Sequence, residues 1–314
     1  MNPILLYPFI LVAGALQAAG NSMNARLRVG LVNPWLAATV SFVLIVFVFT
    51  TVFFMMPVPL PTLETLGRMP WWAPLGGAAG AVAVFGGLAF VDKVGAGPFN
   101  GLLITANILT SLAIDHFGWF GMAPHAAGWA RILGGTLMVG GIVLIAKSTA
   151  QSEDGEAKNG AKAGHGLNPA LLYPFILVAG VLQSVGVSMN AVLRGSVVNP
   201  WLAAMVSFLP VVFVFATMLA VRPTPLPKSE DVAAMPWWAP LGGIAGAVAV
   251  FGGLLFVDTV GSGPFNGLLI TANLLTSLAI DHFGWFGMSV HKAGKERMGG
   301  AGLMVAGIVL IAAL

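Results

Sequence analysis

The chain is a tandem duplication without gaps. When each residue is paired with the one 166 positions later, roughly two-thirds of the pairs are identical. In this alignment Tyr7 is paired with Tyr173 at one end, and Arg131 is paired with Arg297 near the other. The duplication predicts two copies of one fold, residues 1–148 and 167–314. Residues 149–166 between them are rich in Gly, Ala and charge without apolar periodicity, which predicts a solvated linker.

The composition of both copies is that of a membrane protein. Hydrophobic residues make up 58% of the chain and charged residues 8%, whereas a soluble domain carries roughly 25% charged residues. The chain contains no cysteine, which excludes a disulfide framework. These values exclude disorder, a coiled coil and an ordinary soluble enzyme. They predict an all-α integral membrane protein that crosses the bilayer several times.

Each copy contains five apolar segments of about the length that a spanning helix needs. The first of them lacks a basic segment and a cleavage site, so we expect a retained span rather than a signal peptide. The fifth segment of the first copy is short, and a re-entrant hairpin is the alternative there. The predicted spans are Leu5–Ala25, Trp35–Met56, Trp72–Val91, Pro98–Phe117 and Arg131–Lys147, then Leu171–Ala191, Trp201–Val221, Trp238–Val257, Pro264–Phe283 and Met298–Leu314.

The positive charges predict that the two copies are inverted relative to each other. If all five segments of each copy cross the membrane, eleven of the fourteen Lys and Arg residues of the whole chain fall on the side opposite the N-terminus. Both copies contribute to this excess. The positive-inside rule makes that side cytoplasmic. We therefore expect ten transmembrane helices in two inverted-topology repeats, a cytoplasmic linker, and both termini outside. The basic excess reflects topology and does not indicate nucleic-acid binding. The eleven residues are Arg26, Arg28, Lys93, Lys147, Lys158, Lys162, Arg222, Lys228, Lys292, Lys295 and Arg297.

Two segments carry a family resemblance. The sequence PFNGLLITANILTSLAIDHFGWFG (98–121) recurs almost unchanged at 264–287, and GALQAAGNSMNARLRVGLVNPWLAATVSF occupies 14–42. Both resemble the YdcZ-type branch of the drug/metabolite transporter superfamily. That resemblance implies a bacterial inner-membrane protein of the fused, ten-helix form, and a transporter or exporter. Where the family commonly has Gly-Gln in the fourth helix, this chain has Ala-Asn at 106–107 and 272–273, which predicts a different pocket depth and substrate.

The fourth helix of each copy has one polar face. Asn100, Asn107, Ser111 and Asp115 are spaced by seven, four and four residues. Asn107 falls mid-span, about 15 Å from either surface, and inverted repeats place substrate sites near the midplane. Helix–helix hydrogen bonding is the alternative role. The predicted substrate-binding residues of this helix and its copy are Asn107, Ser111, Asn273 and Ser277.

The first helix of each copy also has one polar face, with spacings of seven and four. Its predicted substrate-binding residues are Gln17 and Asn24, with Gln183 and Asn190 in the second copy. An arginine at the bilayer midplane would cost at least ~2.5–3.5 kcal/mol, so we expect Arg28 and Arg194 near the membrane surfaces. Either they gate the pathway, one at each face, or they are anchors that reach the interface.

The fourth helices end in acid–imidazole pairs, Asp115–His116 and Asp281–His282. Because histidine titrates near neutral pH, each pair is a candidate proton relay, with protons as the coupling ion. The alternative is a cap and interface contact at the helix end. Both alternatives remain open from the sequence.

The middle of every predicted span lacks Asp and Glu. Gln17 and Gln183 stand where cation exporters of this superfamily need a carboxylate, so a neutral, zwitterionic or anionic substrate is favoured over a quaternary cation. No phosphate-binding loop or nucleophile–base pair is found, and we expect neither an enzyme nor a cofactor. The sequence predicts a secondary transporter of a small molecule, with export favoured. The alternatives are a passive pore and a non-transporting scaffold. One chain contains all the predicted site residues, so a monomer is sufficient for transport. The sequence does not decide whether two chains associate.

Overall fold

The computed structural model describes residues 3–56, 58–94, 96–122, 124, 128–157, 172–221, 224–288, 290 and 294–313. Within these residues the fold is helical, without strands. The described residues form ten long α-helices and two short ones, α3 and α9, which precede the third long helix of each copy. The helices are α1 (Tyr7–Leu31), α2 (Pro34–Met55), α3 (Leu63–Gly67), α4 (Gly76–Val94), α5 (Ala96–Phe117), α6 (Trp129–Ala157), α7 (Tyr173–Val197), α8 (Pro200–Val221), α9 (Ser229–Ala233), α10 (Gly242–Val260), α11 (Ser262–Phe283) and α12 (Lys295–Ala313).

Seven described segments are long and apolar enough to cross a membrane. The apolar helix described for the third predicted span is shorter, Ala73–Gly86. The seven are Ile4–Leu31, Pro34–Met55, Trp129–Ser148, Tyr173–Val197, Pro200–Val221, Ala239–Val260 and Ser262–Phe283. The structure therefore contains several apolar spans in each copy.

Several predicted boundaries differ from the structure. Helices α1 and α7 continue to Leu31 and Val197, six residues past their predicted ends, so Arg26, Arg28 and Arg194 lie within helices. Helix α6 is continuous from Trp129 to Ala157, so it is not a re-entrant hairpin and it extends into the predicted linker. Ala and Glu in that stretch are good helix formers, which explains the extension. The rest of the predicted linker lies outside the described residues.

Tight turns set the starts of α2 and α8. Val32 has φ 58°, and Asn33 Oδ1 then accepts from the backbone N–H groups of Trp35 and Leu36 at 3.0 and 3.2 Å. Asn199 caps α8 in the same way, at 3.0 and 3.1 Å. Each cap satisfies two of the N–H groups that a helix start leaves without a partner, next to a Pro at the first helical position.

Two pairs of equivalent helices, α2 with α8 and α6 with α12, pack against each other in antiparallel directions. Between α2 and α8, Trp35 stacks near Phe215 at one end, while Phe49 stacks near Phe208 toward the other. Between α6 and α12, Gly134 faces Gly307 and Gly141 faces Gly300. In each pair, residue numbers increase along one helix in the direction in which they decrease along the other.

Helices α1 and α7 form the centre, and each packs on the opposite copy. Helix α1 contacts α10 and α11, and α7 contacts α4 and α5. Glycine permits the closest approach: a Cβ on Gly14 would overlap the backbone oxygen of Leu269, and one on Gly180 would overlap that of Leu103. In a membrane the hydrophobic effect does not drive helices together, so close packing has to hold them. Small residues at helix crossings permit that packing, because they let the two backbones approach each other. The reciprocal contacts place equivalent side chains of α1, α5, α7 and α11 around one space.

Candidate functional site

A cavity of about 720 Å³ lies between the two copies. It is lined by α1, α2, α4 and α5 of the first copy and by their equivalents α7, α8, α10 and α11 of the second. The volume is in the range of small-molecule sites. The cavity therefore has the size and central position of a candidate substrate site.

Two amide bridges cross the cavity from one copy to the other. Asn107 Nδ2 donates to Gln183 Oε1 at 3.2 Å, and Asn273 Nδ2 donates to Gln17 Oε1 at 3.0 Å. All four side chains line the cavity. Asn107 is 3% exposed, and its Oδ1 has no hydrogen-bond partner among the described residues. A buried acceptor without a partner is unfavourable by about 1–3 kcal/mol, so a donor on a ligand would stabilise this site.

A second pair of polar contacts lies about two turns further along α1 and α7. Asn24 Oδ1 accepts from Ser41 at 3.1 Å, and Asn190 Oδ1 accepts from Ser207 at 2.9 Å. Both asparagines and both serines line the cavity. The serines were not predicted from the sequence. Their only signal was identity between the copies, which most residues of α2 and α8 share.

Other cavity residues also escaped prediction. Asn266 lines the cavity and donates to Ser262 Oγ at 3.3 Å. Asn21 lines it too, although its counterpart in the second copy is Val187. Asn266 is the counterpart of Asn100, which the spacing placed on the polar face of the fourth helix, whereas Asn21 had no such signal.

The two predicted arginines have different surroundings. Arg28 lines the cavity near the end of α1, whereas Arg194 does not appear in its lining. Arg194 interacts electrostatically with Asp258, and its Nε is buried without a hydrogen-bond partner among the described residues. Only Arg28 is therefore placed to meet a molecule in the cavity.

The two predicted serines lie outside the cavity lining. Ser111 is 1% exposed and donates to the backbone oxygen of Ile108 at 2.8 Å, within its own helix. Ser277 is half-buried on α11. Each serine lies one helical turn beyond its asparagine, and the asparagines are the last residues of α5 and α11 in the cavity lining.

The two aspartates also have different surroundings. Asp115 is 1% exposed, and its two oxygens accept from the backbone N–H groups of Ser262 and Gly263 at 2.7 and 2.6 Å. The Asp281 side chain is 40% exposed and lies 3.8 Å from Arg297 Nη1. Asp115 thus caps the start of α11 in the other copy, while Asp281 faces an arginine.

The two histidines lie beside these aspartates at the helix ends. His116 is exposed with its ring edge-on to Phe117, and His282 is edge-on to Phe283. Neither imidazole lines the cavity. Proton relay through His116 or His282 stays a prediction.

The cavity opens unequally toward the two faces of the molecule. We call the face where α5 ends and α11 begins the α11-start face, and the opposite one the α5-start face. Asn100 lines the cavity and is exposed near the α5-start face, whereas Asn266, its counterpart, is 3% exposed. Arg26 at the end of α1 donates to the oxygen of Phe286, just beyond the end of α11, so Arg28 also lies toward the α5-start face. The cavity is therefore open toward that face.

A separate pocket of about 410 Å³ lies on the α11-start face. Phe120 and Met122, just past the end of α5, line it together with Asp258 and Ser196. No described residue lines both this pocket and the central cavity.

One solved structure, described as "Crystal structure of protein", matches the whole fold. Its TM-score is 0.71, at 15% sequence identity, and the match covers 100% of this chain and 99% of the other. At this identity the similarity extends to the fold alone. Among curated proteins, none matches the chain.

The family resemblance drawn from the sequence is confirmed. The family model described as "Putative inner membrane exporter, YdcZ" matches residues 5–144 and again residues 171–310. Each match covers one copy of the duplication. The chain therefore belongs to the YdcZ family of the drug/metabolite transporter superfamily, as a two-copy, multi-pass inner-membrane protein.

Proposed function

We propose that the protein is a secondary transporter that exports a small polar metabolite or drug-like molecule. The two copies form ten transmembrane helices with inverted topology and expose the central cavity to one side of the membrane at a time. Membership of a family described as exporters supports the direction.

The observation that carries the proposal is the cavity with its paired amides. Asn107, Asn273 and their glutamine partners come from both copies, so a molecule held there contacts both. A rocking movement of one copy against the other would change those contacts. Alternating access around a fixed midplane site is how inverted-repeat transporters work.

Two independent observations support the inverted topology. Eleven of the fourteen Lys and Arg residues fall on one side of the membrane when each copy crosses it five times. Equivalent helices, such as α6 and α12, pack in antiparallel directions. A pseudo-twofold axis in the membrane plane accounts for both. On this arrangement the α5-start face is cytoplasmic, and the cavity is open to the cytoplasm.

The lining indicates the substrate class. Asn, Gln and Ser side chains supply neutral donors and acceptors, and Phe side chains supply apolar walls. None of the described lining residues is Asp or Glu, whereas Arg28 contributes one positive charge. A cation would lose hydration without a compensating carboxylate. We infer a neutral, zwitterionic or anionic substrate with several hydrogen-bonding groups.

The site is tested by flux in proteoliposomes. A thermal-shift screen of the purified protein against metabolites first identifies a ligand, which then serves as the transported molecule. We expect Asn107→Ala and Asn273→Ala each to lower flux at sub-saturating substrate about tenfold, because a lost hydrogen bond of about 1–1.5 kcal/mol lowers affinity by that factor. Thr51→Ala is the control, since its exposed hydroxyl bonds only to its own helix at Phe47.

The outcomes separate the proposal from its alternatives. Unchanged flux in both asparagine variants would remove the site assignment. Flux that rises linearly with substrate concentration, without saturation, would indicate a passive pore. A protein that shows neither flux nor ligand-dependent stabilisation across the screen would be a scaffold.

A further inference from the structure

The pocket of about 410 Å³ on the α11-start face corresponds to a region of the other face where an arginine stands. The segment Phe-Gly-Met at 120–122, just past α5, lines the pocket together with Val192 of α7. By the 166-residue offset, the same segment recurs at 286–288, just past α11, and the counterpart of Val192 is Arg26 of α1. The equivalent regions therefore hold a valine at one face and an arginine at the other.

The Arg26 guanidinium lies directly on the backbone of that recurring segment. Its Nε donates to the backbone oxygen of Phe286 at 2.9 Å. A Cβ built on Gly287 would lie 2.6 Å from Arg26 Nη2 and 3.2 Å from its Cζ. A guanidinium is planar and carries several N–H donors, so a glycine surface next to a carbonyl oxygen suits it.

The same backbone surface is present at the α11-start face and is open there. Phe120 has φ 60° and ψ 21°, and Phe286 has φ 58° and ψ 21°. Trp72 is edge-on to Phe120 at 5.4 Å between centroids, and Trp238 is edge-on to Phe286 at 5.5 Å. A Cβ built on Gly121 would meet no described atom within 4 Å. The pocket therefore offers the space that a guanidinium fills in the other copy.

The charges around the pocket leave one exposed carboxylate for a ligand. Asp258 lines the pocket and is exposed. It interacts electrostatically with Arg194, which is not among the described lining residues. Arg68 also lines the pocket, but its Nη2 lies 2.7 Å from Glu64 Oε1, so its positive charge is already paired. Asp258 thus supplies the negative charge that a cationic group would face.

We propose that this pocket binds the guanidinium group of a small molecule, in the position that the Arg26 side chain takes in the other copy. The ligand N–H groups donate to the backbone oxygen of Phe120, and its charge faces Asp258. A guanidinium is more weakly hydrated than an ammonium, so it enters such a site at a smaller desolvation cost. Thr65 and Ser196 line the remaining volume and meet the rest of the ligand. The site is separate from the central cavity, so the inference does not depend on alternating access.

The first test compares three ligands by calorimetric titration of the purified protein. The probe is n-propylguanidinium, which reproduces the arginine side chain. Its neutral analogue is n-propylurea, and n-butylammonium carries the charge without the planar set of donors. We expect saturable binding of n-propylguanidinium, weaker binding of n-butylammonium and none of n-propylurea. Equal binding of n-butylammonium, or comparable binding of n-propylurea, overturns the assignment to a guanidinium.

Val192→Arg fills the pocket from within. The new side chain reproduces the arrangement of Arg26 at the other face, so binding of n-propylguanidinium should be lost while the unfolding temperature stays at or above that of the parent. Val192→Leu is the control, because it keeps an apolar side chain of similar size and should bind like the parent. Undiminished binding in Val192→Arg places the ligand elsewhere and overturns the site.

Asp258→Asn tests the carboxylate without changing its size. We expect the affinity for n-propylguanidinium to fall about threefold to fivefold, the range for an exposed ion pair. Glu230→Gln is the matched control, since it removes an exposed carboxylate from α9, which packs on α1 rather than α7. Added salt should weaken binding more in the parent than in Asp258→Asn. An unchanged affinity in Asp258→Asn would contradict the role of its charge.

The reciprocal variant, Arg26→Val, removes the guanidinium from the other face. We expect a lower unfolding temperature, because the contact with Phe286 is lost. Added n-propylguanidinium should raise the unfolding temperature of this variant by more than that of the parent, since it takes the place of the missing side chain over Gly287. The same concentration of n-propylurea is the control. A variant that n-propylguanidinium stabilises no more than the parent would contradict recognition of a guanidinium by this backbone segment.

Discussion

At the scale of the residue, buried amides and hydroxyls decide the local structure of this protein. Hydrocarbon offers no hydrogen-bond partner, so each polar side chain inside the helical bundle needs one from the protein. Asn24 and Asn190 receive one from a serine of the neighbouring helix. Asn33 and Asn199 use their side chains to cap helices instead. The same residue type thus serves turns at the helix ends and the candidate site in the middle.

The buried cap at Asn33 has a measurable effect on stability. Asn33 is 1% exposed and accepts from two backbone N–H groups of α2. We expect Asn33→Ala to lower the free energy of unfolding by about 0.5–2 kcal/mol, because those donors lose their partner. Asn33→Ser keeps an acceptor and should lose much less. Thermal unfolding in detergent compares the two, and an equal loss in both would contradict the capping role.

At the scale of the element, the two pairs α2 with α8 and α6 with α12 pack by different chemistries. Helices α2 and α8 meet through aromatic rings, with Phe42 and Phe215 stacked at 5.4 Å between centroids. Helices α6 and α12 meet through glycines, where backbone approaches backbone. Ring stacking and close backbone packing both supply van der Waals contact, the force that associates helices in lipid.

The glycine contact between α6 and α12 can be tested with adjacent residues. A Cβ on Gly141 would overlap the backbone oxygen of Gly300, whereas one on Gly140 would meet nothing within 4 Å. We expect Gly141→Ala to lower the free energy of unfolding by about 1–3 kcal/mol through overpacking. Gly140→Ala should be neutral or slightly stabilising, since alanine is the better helix former. Similar unfolding temperatures for the two variants would show that α6 and α12 do not pack this closely.

At the scale of the whole molecule, the reciprocal contacts between copies create a single central space. Gly14 of α1 approaches α11, and Gly180 of α7 approaches α5 in the equivalent manner. Because each copy contributes the same surface, the cavity lies where the two surfaces meet. The two copies depart from symmetry at their fourth helices, since Asp115 is buried whereas the Asp281 side chain is 40% exposed.

The proposed topology predicts which residues are accessible from outside the cell. With a cytoplasmic linker and an external N-terminus, a Glu156→Cys variant should resist impermeant thiol reagents in intact cells, and an Asn2→Cys variant should react. Permeabilised cells provide the control, in which both variants should react. Labelling of the Glu156→Cys variant in intact cells would contradict the inverted arrangement of the copies.

The sequence alone determined the two-copy architecture, the family and most helices. Periodicity and apolar length are local properties, and the 166-residue offset is visible without a fold. The boundary at Ala157 was missed because helix propensity continues past the apolar segment. The polar face of the fourth helix also came from the sequence, and Asn107 does line the cavity.

Only the tertiary structure decided which side chains meet. The bridge from Asn107 to Gln183, the contact of Asp115 with α11, and the placement of Arg28 but not Arg194 in the cavity all join distant segments. Equivalent residues are nearly identical in sequence, so no local pattern could indicate that Asp115 is buried while Asp281 is exposed. That difference arises from the packing of whole helices.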